Sequence, residues 1–157
     1  MKEAHYYLSG VSEKGEIVLF SGTTAEIRKF IECDRVGKHN PELSRYLFGL
    51  FTEFGIPASL MGYRYLESAV NLVLSEPGYL QRKVTSELYP RIAEEFNTSP
   101  NCVERAIRHA ITVAWDRGNS QKLYEFFRHC ISYKTGKVTN SDFIAGIVEK
   151  VKIEHIV

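Results

Sequence analysis

Cysteine is scarce in this chain of 157 residues: there are three, Cys33, Cys102 and Cys130, with no C-x-x-C spacing among them. An odd, scattered set excludes a disulfide framework and a zinc knuckle, and it suits a reducing, cytosolic setting. An excess of charge is lacking too, with 20 Lys and Arg against 19 Asp and Glu and a formal net charge of +1. No global field therefore draws the chain to nucleic acid or to a membrane, and any anion-binding surface must be a local arrangement. No run approaches about 18 continuous apolar residues, and no basic start leads into an apolar run with a small-residue cleavage site. Neither a membrane span nor a signal peptide is expected, so the match of Asn97-Thr98-Ser99 to a glycosylation sequon is fortuitous.

Catalytic signatures are missing as well. No G-x-S-x-G elbow, H-E-x-x-H helix or glycine-rich dinucleotide turn occurs, so no enzymatic activity and no cofactor are expected. The segment from Gly10 to Gly15 has the two glycines of a phosphate loop, but Glu16-Ile17 stands where Lys and Ser or Thr are needed, which leaves a hairpin connection. Cys130 beside His129, and Cys33 near His39, lack two further ligands at workable spacing. No metal is expected there, and both cysteines read as buried or partly buried free thiols.

What is present is an ordinary globular composition, 44% hydrophobic and 25% charged. Residues 5–20, "HYYLSGVSEKGEIVLF", give two β-type runs around a polar connection and predict a hairpin. "GTTAEIRKFIEC" then opens a helix, with Thr23 and Glu26 spaced as a capping box. Asn40 and Pro41 set an N-cap and a first helical position, after which Leu43, Tyr46, Leu47, Leu50, Phe51 and Phe54 recur at three-and-four spacing. Gly55 ends that helix and Ile56-Pro57 forbids resuming it at once. Further helices are expected near 59–75, 84–96, 100–117, 119–129 and 141–153, with Pro90 kinking or restarting the second of these. The expected organisation is a small β-hairpin and helix segment over 1–40 and a helical domain over 41–157.

The stretch "SPNCVERAIRHAITVAWDRG" carries the most information. Stepped at 100° per residue, Val103, Ala106, Ile107, Ala110, Ile111, Val113 and Ala114 fall on one side, while Asn101, Glu104, Arg105, Arg108 and Thr112 share the opposite arc. Such an arc is either a solvated surface or a binding face. The preceding residues bear on the choice, because "RIAEEFNTSPNCVER" has helix-turn-helix spacing. Ala93 is small enough for two helices to cross, Asn97 suits a left-handed turn position, Val103 packs back between the helices, and Ser99-Pro100 starts the second one. A duplex major groove admits such a helix, and Arg, Glu and Asn are residue types that read base edges there.

These residues also resemble a known family. "GIPASLMGYRYLESAV", "LYPRIAEEFNTSPNCVERAIRHAITVAWDRGN" and "VTNSDFIAGIVEK" are similar to the C-terminal effector domain of the sporulation stage-zero response regulator A of endospore-forming bacteria, from about Phe54 to about Lys152. The resemblance implies a mainly α fold: a six-helix, helix-turn-helix DNA-binding domain, here preceded by the short hairpin and helix. It implies a transcription regulator that reads short, often tandem promoter boxes in double-stranded DNA, with the helix-turn-helix at about 84–117 and a recognition helix at about 100–117. By position, Glu104, Arg105, Arg108 and His109 match the family's residues that meet bases and phosphates. Where the family has a small polar residue followed by an arginine, this chain has Asn101 and Cys102, so its preferred sequence is expected to differ.

Thr98 and Ser99 at the turn, and Lys134 and Lys137 further on, are candidates for phosphate contact. His109 either donates to phosphate or packs against the turn. Only about 55 residues precede the resembling region, and Asp34, Asp116 and Asp142 are the only aspartates, so no phosphoacceptor receiver is expected. The first residues would be a dimerisation element, a ligand sensor or a cap. The expected setting is cytoplasmic and nucleoid-associated, as a homodimer or heterodimer on DNA. The alternative is a protein-interaction module that pairs with a full-length regulator and antagonises it.

Overall fold

A computed structural model describes residues 6–11, 17–22, 40–81, 83–133 and 135–154. The chain divides after His39 into two compact units. In the first, β1 (Tyr6–Val11) pairs antiparallel with β2 (Ile17–Gly22), Tyr6 opposite Gly22 and Val11 opposite Ile17. The connection over 12–16, the helix expected to open at Thr23, and the environments of Cys33 and His39 lie outside the described residues.

The second unit is helical. Its α-helices, among the described residues, are α1 (Pro41–Phe54), α2 (Met61–Ser75), α3 (Tyr89–Glu95), α4 (Pro100–Arg117), α5 (Ser120–Phe127) and α6 (Asn140–Ile153). Polar side chains set the starts. Asn40 accepts from the backbone N–H groups of Glu42 at 3.0 Å and Leu43 at 3.3 Å, Asn119 from Lys122 at 3.1 Å, and Thr139 from Asp142 at 3.1 Å; each satisfies a donor that the first turn of a helix leaves unpaired. Among the described residues no helix is long and apolar enough to cross a membrane.

One departure from expectation is at Pro90. The helix expected over 84–96 is instead a wide turn, Val84–Leu88, in which Leu88 N–H bonds Lys83 C=O and Tyr89 N–H bonds Val84 C=O, followed by α3. A proline has no N–H to offer and its ring crowds the carbonyl four residues back; widening the turn before it relieves the clash without ending the helical path.

All six helices contribute to the core, four of them the larger share. Leu43, Leu47, Phe51 and Phe54 of α1, Leu66, Ala69, Val70 and Val73 of α2, Val103, Ile107, Ala110 and Ala114 of α4, and Phe143, Ile144, Ile147 and Val151 of α6 are all buried. The rings of Phe54, Phe127 and Phe143 form a cluster with centroids 4.7 to 6.1 Å apart, a spacing at which aromatic rings attract one another beyond their burial. At the back of α4 the packing is closer still. A Cβ at Gly62 would lie 2.1 Å from the Ala106 carbonyl oxygen and 2.8 Å from the Ala110 Cβ, so the backbones of α2 and α4 touch where only glycine fits. At the far end of α4, a Cβ at Gly118 would meet the Phe54 carbonyl oxygen at 2.2 Å. The helix is thereby held along its length from behind. Ala106 and Val113, both expected on the core side, are half-buried at its margins.

Candidate nucleic-acid interface

The candidate site begins with how the chain turns between α3 and α4. Asn97 takes a left-handed conformation, φ 50°, which a short polar side chain tolerates better than a branched one. That turn lets Thr98 N–H reach back to the Ala93 carbonyl at 2.9 Å, closing the end of α3. Ser99 then caps α4, its hydroxyl accepting from Cys102 N–H at 3.3 Å, and Pro100 takes the first helical position. Ala93 and Val103 are buried between the two helices. The result is a helix-turn-helix whose second helix has an immobilised back and an open front.

On the front, Asn101, Cys102, Arg105, Arg108 and His109 are exposed, and Glu104 and Thr112 are half-buried at the edges of the arc. The Arg108 guanidinium donates to the Glu104 carboxylate one turn earlier. Their side chains are 64% and 32% exposed, so a pair of this kind adds only about 0.3 to 0.5 kcal/mol to the helix and costs little to exchange for another anion. Arg105 forms no salt bridge among the described residues. Hydrogen bonding to the Ser99 side chain, then to Thr98, with help from the Arg105 charge, holds the Cys102 thiol below its ordinary value. The first turns of α4 therefore favour negative charge, as helix N-termini do.

Two depressions flank the arc. A cleft of about 620 Å³ lies on one side, where Tyr89, Glu104, Arg108, Lys137 and Asn140 converge. On the other, a smaller one of about 290 Å³ brings His109 and Thr112 beside Pro57 and Ser59. The Lys137 ammonium sits 2.8 Å from the Asp116 carboxylate near the end of α4, with both side chains exposed. Lys134 lies outside the described residues. Thr98 is half-buried in the turn, and the Ser99 hydroxyl already serves the cap. Asn101, Cys102, Glu104, Arg105, Arg108 and His109 thus gather on one helix face, with Lys137 at its rim.

The model for the family described as sporulation initiation factor Spo0A C terminal matches residues 47–151. The chain belongs to that family. Its members are helical, helix-turn-helix-type DNA-binding regulators of transcription in sporulation rather than enzymes. The match runs from the middle of α1 to the last turns of α6, so it takes in the whole helix-turn-helix and the packing behind it.

Two nearby residues escaped the reading of the sequence. Tyr89, at the start of α3, and Asn140, at the start of α6, meet beside the arc in the larger cleft, the Asn140 amide donating to the Tyr89 hydroxyl at 3.2 Å. Burial raises the Tyr89 hydroxyl above its usual value, partly offset by that hydrogen bond. No local pattern could have paired residues 51 positions apart. The expectation for Cys130 needs correction: its thiol is exposed, because it follows α5 in a turn closed by its own N–H on the Phe127 carbonyl, outside the core. Among the described residues no three His, Cys, Asp or Glu are grouped to hold a metal.

Proposed function

We propose that this protein binds double-stranded DNA sequence-specifically, with α4 lying in the major groove as the recognition helix. Asn101, Cys102, Glu104, Arg105 and Arg108 face the base edges. Thr98, Ser99, His109, Lys134 and Lys137 meet the flanking phosphates and set the register. The single observation that carries this reading is the exposed arc itself: two arginines, a carboxylate and an amide project together from a helix whose back is pinned, in a chain of a DNA-binding family.

The chemistry of the arc is suited to discrimination. Arg105 can donate two hydrogen bonds to the O6 and N7 of one guanine, Glu104 can accept from a cytosine amine, and each good bidentate contact separates the right base from the wrong one by about 1 to 3 kcal/mol. Because the chain's net charge is only +1, affinity rests on the placement of these few cations rather than on bulk attraction. Cys102 supplies a small, weakly polar contact, so the preferred box departs from one that an arginine there would select.

The test is a titration of a labelled duplex, selected from a random pool by the protein, against scrambled competitor at stated salt. A preference of at least about a thousandfold is expected for a specific regulator. Equal affinity for selected and scrambled duplexes would overturn the reading.

A further inference from the structure

A helix that reads base edges must hold one rotation about its own axis. Side chains reach roughly 6 Å from a helix axis, so a rotation of about 10° displaces a guanidinium by about 1 Å. That is enough to spoil a bidentate contact. The contacts at Gly62 and Gly118 and the buried side chains of α4 hold the helix against the core, but apolar burial is non-directional and sets its fine rotation less sharply than a directed bond does. Hydrogen bonds are directional and can set it.

Only one side chain outside the helix-turn-helix is seen to reach into the backbone of α4 in this way among the described residues. The Asn140 amide donates to the Glu104 carbonyl oxygen at 3.1 Å while also donating to the Tyr89 hydroxyl at 3.2 Å. Glu104 lies in the same turn as Arg105 and one turn before Arg108. Asn140 is not the cap of its own helix, since Thr139 fills that role, so α6 does not need the amide to begin. Tyr89 is 4% exposed, so burial of its ring fixes where the hydroxyl meets the amide. The amide therefore joins both helices of the helix-turn-helix to the start of a third.

We infer that Asn140 is a positioning residue, whose amide sets the rotation of α4 and thereby aims Arg105 and Arg108 at the bases. This rests on the proposed DNA reading and assigns that site its alignment device. Asn140 touches no DNA in this role; it acts through the Glu104 carbonyl and the Tyr89 hydroxyl.

The experiment compares the parent with Asn140→Ala and with Asn140→Leu, which fills the same volume but donates nothing. Affinity for the selected duplex and for scrambled duplex is measured at several salt concentrations, well below the melting temperature recorded for each variant. Partial unfolding would weaken both affinities by the same factor, the inverse of the folded fraction, and leave their ratio unchanged. A lost rotation lowers the ratio. Both variants are expected to bind the selected duplex about tenfold more weakly, with scrambled binding and salt slope as in the parent. Tyr89→Phe, which removes one of the two acceptors, should reproduce part of the loss. An unchanged ratio in both variants, or its rescue by leucine, would overturn the inference while the DNA reading stood. A parent with no preference for the selected duplex would instead bring down the DNA reading and this inference with it.

Discussion

The two sides of α4 follow different rules. Behind, Val103, Ile107, Ala110 and Ala114 are buried and Gly62 lets another backbone touch the helix, so each residue is dictated by volume. In front, Arg105, Arg108 and His109 are exposed and the one ion pair is weak and solvated. Nothing in the folding of the domain requires those front residues. The contrast teaches that the back of the helix is committed to stability, and the front is left to a partner. Changes behind should alter folding while sparing discrimination, and changes in front should do the reverse.

The largest effect is expected from breaking the back. Ile107→Ala removes a fully buried side chain and should cost about 2 to 5 kcal/mol in urea unfolding. Its ratio of selected to scrambled binding, measured where the variant is folded, should match the parent's. Arg105→Ala should show the opposite pattern: an unfolding midpoint like the parent's, and a loss of about 1 to 3 kcal/mol for the selected duplex alone. Loss of stability without loss of discrimination in Arg105→Ala would exchange the two sides of the comparison.

Arg108 sharpens the picture within the front. Facing the base edges once released from Glu104, it should read one position, so Arg108→Ala should relax base preference there while scrambled binding stays as in the parent. A uniform weakening of all duplexes with a salt slope lower by about one unit would instead move Arg108 to the phosphates. The smallest effect lies away from α4. Burial, then a hydrogen bond with Glu154, pushes the Tyr46 hydroxyl up to about 12. A raised value means the folded state favours the neutral phenol, so this contribution is intact below pH 10 and is lost as pH rises from 10 towards 12. Thermal melting of Tyr46→Phe should fall less steeply than the parent's over that window, with DNA discrimination unchanged at neutral pH.

Much of this contrast was legible in the amino-acid order, since three-and-four spacing separates the faces of α4, and Asn97, Ser99 and Pro100 mark the turn that starts it. Those signals are local. The remainder depends on contacts between distant segments: Gly62 against Ala106, the Asn140 amide against the Glu104 carbonyl, Lys137 against Asp116. Periodicity does not encode which glycine will be a crossing point or which amide will reach another helix. The wide turn before Pro90 was half legible, because a proline announces a disturbance without saying whether the helix kinks, stops or widens. The exposure of Cys130 was missed for a related reason: a free cysteine favours burial on average, and only the packed fold decides the individual case.

The most direct measurement uses the thiol that stands within the arc. Cys102 is exposed, and hydrogen bonding from Ser99 and Thr98 holds its thiol below the ordinary value, so it is open to alkylation. Cys130, also exposed, lies outside the arc and provides a reference in the same molecule. With the selected duplex bound, Cys102 labelling should slow in proportion to occupancy while Cys130 labelling continues as in the free protein. Unchanged Cys102 labelling at full occupancy would contradict the account, because the DNA would then be held by some other face.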